Sequence, residues 1–158
     1  MRKGISAEMA VLFVMASGCE SVLSRPVPSQ AEYLARYMNH FDGQEIENLE
    51  YVYKGAIGGE LTVARAQFKG PVQILGVAET GTYDPAAMAG EPAGEEFRQR
   101  WTRVCGGTTP AWFDFPFDQK MRMIWEAREV TRDGEPRLRY EWYIDDRRNV
   151  VYFWGTRG

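Results

Sequence analysis

The sequence predicts a mainly β protein of the α+β class, an antiparallel curved sheet or a small barrel with one N-terminal helix. Three observations carry that prediction. The last forty residues alternate in polarity with period two through three successive runs, broken by Asp133-Gly134 and again near Asn149. Aromatic residues make up 13% of the 158-residue chain, and with Val and Thr they favour pleated, half-buried surfaces. A single strongly capped helical segment stands near the front, between residues 30 and 41.

The elements follow in order. Ser29 with Glu32 three residues on has capping-box spacing. Ala31, Leu34, Ala35, Met38 and Phe41 recur at helical spacing, and Gly43 supplies a stop. A helix packed through Leu34, Met38 and Phe41 is expected. Leu49, Tyr51 and Tyr53 then alternate with Glu50, Val52 and Lys54, and Gly58-Gly59 marks a turn. Residues 61–68 read as a second strand with Thr62, Ala64, Ala66 and Phe68 on one side. Residues 72–82 read as a third, bent at Gly76 and Gly81.

Residues 83–94 hold two prolines and four alanines and read as a surface loop. Residues 95–105 read two ways: Phe97, Trp101, Val104 and Cys105 fit one helical face, with Glu95, Glu96 and Arg103 suited to the helix dipole, while Arg98, Arg100 and Thr102 against Phe97 and Trp101 also fit a strand; the helix is the preferred reading. In the closing meander, Met121, Met123, Trp125 and Ala127 alternate with Arg122, Ile124, Glu126 and Arg128. Leu138, Tyr140, Trp142 and Ile144 alternate with Arg137, Arg139, Glu141 and Tyr143. One apolar and one polar face are expected there, the polar one carrying Arg–Glu pairs.

The first nineteen residues read as an address. Arg2 and Lys3 start it, no residue from Met9 to Gly18 is charged, and Ala16, Ser17 and Gly18 precede Cys19. This is the secretory signal pattern, and its apolar run is shorter than the roughly 20 residues needed to span a bilayer. Met15-Ala16-Ser17-Gly18-Cys19 resembles the lipobox of bacterial lipoproteins, with Ala16 where that family usually has Leu. The resemblance implies cleavage before Cys19, acylation of its thiol, and anchoring in the cell envelope. Glu20 in place of Asp implies the outer membrane, with the domain facing the periplasm. The implied organisation is a signal peptide over 1–18, a lipidated Cys19 with a tether over 19–29 containing Pro26 and Pro28, and one β-rich domain over 30–158.

A second resemblance concerns the domain. Leu34-Ala35-Arg36-Tyr37-Met38 with Phe41, and the late Trp154-Gly155, are similar to the start and end of the CpeT/CpcT chromophore-lyase family. What it implies is a lipocalin-like barrel; no residue roles carry over.

The formal net charge is −3, and loss of Arg2, Lys3 and Glu8 with the leader would take it near −4. A nucleic-acid binder would want a basic face, so no nucleic-acid partner is expected. No serine follows Ser29, His40 is the single histidine, and no phosphate-loop or dinucleotide fingerprint occurs. His40 with Asp42, or Asp114 with Asp118, offers too few ligands for a metal, so neither metal nor cofactor is expected. With Cys19 acylated, Cys105 stands alone, and a Cys105–His40 nucleophile pair is the enzymatic option.

The remaining signal is aromatic. If there is a pocket, Trp125, Tyr140 and Trp142 would wall it, with Arg137 or Arg139 at its mouth. Core packing is the competing reading for those rings. The functional expectation is therefore a non-enzymatic, envelope-anchored domain that binds an apolar or aromatic small ligand or an envelope protein. The alternative is a small lyase or hydrolase using carboxylates or Cys105.

Overall fold

Capping and alternation act on the front of the chain as expected, with Met38 and Phe41 buried as expected and Tyr33 and Tyr37 added to the inward face. In the computed structural model, which describes residues 24–56, 59–76, 79–88, 92–130, 134 and 136–158, helix α1 spans Gln30–Tyr37. Ser29 and Glu32 close a complete capping box, the Ser29 N–H donating to Glu32 Oε2 at 2.7 Å. The helix ends four residues earlier than its apolar spacing suggests, and a 3-10 turn continues it over Asn39–Phe41. Tyr33 and Tyr37 are its fully buried residues, while Leu34 is only half-buried and Ala31 and Ala35 are exposed. Tyrosine wins because its hydroxyl can be satisfied inside: Tyr33 shares a 2.6 Å hydrogen bond with Thr62.

The strands are β1 (Ser24–Arg25), β2 (Ile46–Ala56), β3 (Gly59–Phe68), β4 (Glu79–Tyr83), β5 (Met121–Val130), β6 (Pro136–Asp145) and β7 (Val150–Arg157). They form one antiparallel sheet in the order β1-β2-β3-β7-β6-β5-β4. Of the two expected forms, the open sheet is the one found: β1 and β4 are its edges, and no pairing among the described residues closes it into a barrel. The meander β5-β6-β7 is present, with Asn149 at φ 54° in its second turn, where a short polar side chain tolerates the left-handed region. Ser24 and Arg25, expected in the tether, already pair with Ala56 and Gly55.

Two segments differ from expectation. Residues 71–76 are not strand; they cross the α1 side of the sheet, burying Val72 and tying Leu75 N–H to the His40 carbonyl at 2.8 Å. The stretch expected as a loop contains α2 (Pro85–Met88) and the start of α3 (Pro92–Val104), which confirms the helical reading of Phe97, Trp101 and Val104.

The larger correction concerns layers. The meander was expected to turn one polar face to water, yet Tyr140, Glu141, Trp142, Tyr143 and Ile144 are all buried in succession. On one face, α1, Phe41 and Val72 pack over Leu49, Ala64, Ala66, Tyr140, Trp142, Ile144 and Phe153. On the other, α3 and the aromatic loop with Phe113, Phe115 and Phe117 pack over Val63, Tyr143, Tyr152 and Trp154. Asp114 pins that loop, accepting from Arg65 Nε at 2.9 Å, Arg148 at 2.7 Å and the Tyr152 hydroxyl at 2.6 Å.

Candidate functional site

The expected pocket residues divide between the two faces, and register decides how. Ile124 pairs with Trp142, so Trp125 pairs with Glu141 and shares its face. Tyr140 and Trp142 lie on the α1 side. There the Tyr140 hydroxyl donates to Glu60 Oε1 at 2.8 Å, and Trp142 Nε1 donates to the Tyr37 carbonyl at 2.7 Å. Both rings stack edge-on in the core, Trp142 against His40 and Tyr140 against Tyr37. Arg137 is exposed near the start of β6, its carbonyl accepting from Gly158 N–H at 2.7 Å.

Trp125 and Arg139 do meet. They line a surface groove of ≈ 490 Å³ with Gly81 and Thr82 of β4, Met123, Glu126 and Ala127 of β5, and Glu141 of β6. Gly81 makes the groove's shape: a Cβ there would stand 2.6 Å from the six-membered ring of Trp125, so only glycine lets the indole lie against the edge strand.

Beneath the groove sits a charged centre that alternation alone did not reveal. Glu141, 2% exposed, receives Arg139 Nε at 2.8 Å, both terminal nitrogens of Arg100, and the Tyr143 hydroxyl. Helix α3 delivers Arg100 through the turn between Phe97 and Trp101. The guanidinium lies between two rings, 4.5 Å from the Phe97 centroid and 4.4 Å from that of Trp154. Two guanidiniums share one carboxylate, leaving one positive charge. Burial raises the ionisation of the Tyr143 phenol well above its ordinary range, and the Glu141 charge adds to this, so the hydroxyl is a fixed donor.

Arg139 is the accessible member: half its side chain is exposed, and its terminal nitrogens make no hydrogen bond among the described residues. Arg100 and Glu141 were legible in principle. An amphipathic α3 has to cover something, and covering the second sheet face buries the acid that stands between Arg139 of β6 and Arg100 of α3.

No family model, curated protein or solved structure matches this chain.

The Cys105–His40 pair of the enzymatic option is not brought together. His40 belongs to the α1 side, hydrogen-bonded to Glu126 at 2.8 Å, while Cys105 packs on the α3 side, so the sheet separates them. Burial pushes the Cys105 thiol up, against a smaller lowering by Lys54, which makes it a poorer nucleophile. Among the described residues no group of three or more His, Cys, Asp or Glu could hold a metal. No helix among them is long and apolar enough to cross a membrane. Cys19 lies outside the described residues.

Proposed function

We propose that this chain is an envelope-anchored lipoprotein, acylated at Cys19 and sited at the outer membrane facing the periplasm, whose domain binds a ligand without transforming it. The ligand class follows from the groove: a molecule with a flat or apolar body and an anionic group. The observation that carries this reading is the convergence of Trp125 and Arg139 in one groove, with Glu141 and Arg100 holding the Arg139 stem from below. Trp125 and Met123 offer apolar cover, and the terminal nitrogens of Arg139 offer a bidentate partner for a carboxylate or phosphate. Tyr140 and Trp142, fixed by their partners on the opposite face, back the sheet behind the groove.

The test is tryptophan fluorescence during titration with fatty acids, haem, sugars and peptidoglycan fragments. The expected result is a saturable change with an anionic member of that set, abolished by Trp125→Ala. A charge-assisted hydrogen bond contributes about 1.5–3 kcal/mol, so Arg139→Ala should weaken binding about 10- to 100-fold. Absence of a saturable response to every class would overturn the reading, as would a response that survives Trp125→Ala unchanged.

A further inference from the structure

The two ends of the sheet differ in how their cations are held. At the end where β5 begins and β6 stops, three basic side chains are paired, Lys120 with Asp84 at 3.0 Å, Arg122 with Asp146 at 2.5 Å, and Arg148 with Asp145 at 2.6 Å, and Arg147 alone of that group is exposed without an ion pair among the described residues. Lys69, beside the start of β2, pairs with Glu45 at 2.8 Å. At the opposite end the register lays Arg25, Gly55, Glu60, Arg157 and Leu138 in one row across β1, β2, β3, β7 and β6. Arg137 adjoins that row and Lys54 lies one step in from it. Arg25, Lys54, Arg137 and Arg157 are exposed and form no ion pair among the described residues. The acid of the row, Glu60, is 4% exposed and held by Tyr140 and by Arg36 of α1, so it neutralises little at the surface. In a chain of net charge −3, this is a locally positive end.

The same end carries the most exposed large apolar side chain described, Val27, at 65%. It stands between Pro26 and Pro28 in the lining of a cleft of ≈ 740 Å³ shared with Arg25, Glu32, Arg36 and Tyr53. It is also the end at which the chain arrives. Ser24 is already in the sheet, so five residue steps separate it from Cys19. Fully extended, those steps reach at most about 18 Å.

We infer that this end of the sheet rests on the anionic headgroups of the bilayer carrying the anchor, with Arg25, Arg137 and Arg157 facing phosphates and Val27 dipping among the headgroups. The inference rests on acylation of Cys19. Given that anchor, a tether of this length confines the row within a few Debye lengths of the surface, each about 8 Å at physiological salt, and free cations there are attracted rather than screened. The groove at Trp125 opens on the α3 face of the sheet, so docking by this end leaves it accessible from the periplasm.

The experiment uses the full-length lipidated protein, with Cys105→Ala, reconstituted into vesicles of phosphatidylcholine alone or mixed with phosphatidylglycerol. A nitroxide is placed by Val27→Cys or, at the far end, by Arg147→Cys. Collision with oxygen and with a water-soluble nickel chelate is then read by electron paramagnetic resonance. In mixed vesicles the oxygen-to-nickel ratio should be several-fold higher at position 27 than at 147. The contrast should collapse with Arg25→Glu, Arg137→Glu and Arg157→Glu together, and in phosphatidylcholine alone. Equal ratios at both positions, with the protein still floating with the vesicles, would overturn the inference and leave the anchor standing. Protein that stays soluble, with Cys19 unacylated by mass, would overturn both.

Discussion

Glu141 is a carboxylate 2% exposed to solvent and shared by two guanidiniums, so its loss cannot be absorbed by water. Glu141→Leu would leave Arg100, whose side chain is 15% exposed, without a counter-charge. Breaking a buried pair from one side costs about 3–5 kcal/mol, and denaturant melts should show a loss of that order. Removing both charges in Glu141→Leu/Arg100→Leu should recover most of it. A single-variant loss below about 1 kcal/mol would show that the cluster is solvated and the groove floor soft. At this scale the sequence was half legible. Trp125 and Arg139 stand out as an aromatic and a cation on one strand of a hairpin each. Their grouping with Tyr140 and Trp142 was not legible, because a one-residue change in pairing turns every side chain to the other face. The β5–β6 hairpin pairs Ile124, not Trp125, with Trp142.

Elements were easier to read than faces. The capping box located α1, Asp133-Gly134 located the β5–β6 hairpin, and alternation located β2, β3 and the meander, because each signal is local. What failed depended on distant partners. Tyr33 and Tyr37 lie deeper in the core than Leu34 since Thr62 and Glu60, far away in sequence, receive or surround their hydroxyls. The β-like run after Gly70 is pulled out of the sheet because Val72 is needed over the α1 face. β7 supplies the sharpest test at this scale. Gly155 lies under two rings: a Cβ there would meet Phe153 Cζ at 2.6 Å and Tyr140 Cδ1 at 3.0 Å. Neither ring can retreat, since Tyr140 is tied to Glu60 and Phe153 is fully buried. Gly155→Ala should therefore destabilise by about 1–3 kcal/mol through overpacking, lowering the thermal midpoint, although alanine has the better strand entropy. An unchanged or raised midpoint would mean that the rings repack freely.

The whole molecule is a sheet covered on both faces, and tyrosine hydroxyls recur through its interior. Burial is the leading cause that raises the ionisation of Tyr33, Tyr37, Tyr83, Tyr140, Tyr143 and Tyr152 above the ordinary phenol value of 10.0. Neighbouring carboxylates add to it, Glu60 at Tyr140, Glu141 at Tyr143 and Asp114 at Tyr152. The sign follows directly. Below pH 10 these phenols are neutral in both folded and unfolded chains, and their contribution to stability is fully present. Above it the unfolded chain loses protons that the folded chain keeps, so stability falls as pH climbs toward the raised folded values. Six such groups among eight tyrosines make this a property of the fold and not of one site. In an alkaline titration, tyrosinate absorbance of the native protein should lag behind that of the chain in denaturant. It should catch up in one cooperative step, together with loss of the β-sheet circular dichroism. Tyr140→Phe and Tyr143→Phe each remove one such group and should move that step to higher pH, provided the neutral stability is matched with denaturant. Full ionisation near pH 10 with the β signal intact would mean that water reaches these hydroxyls, and that neither face of the sheet is closed.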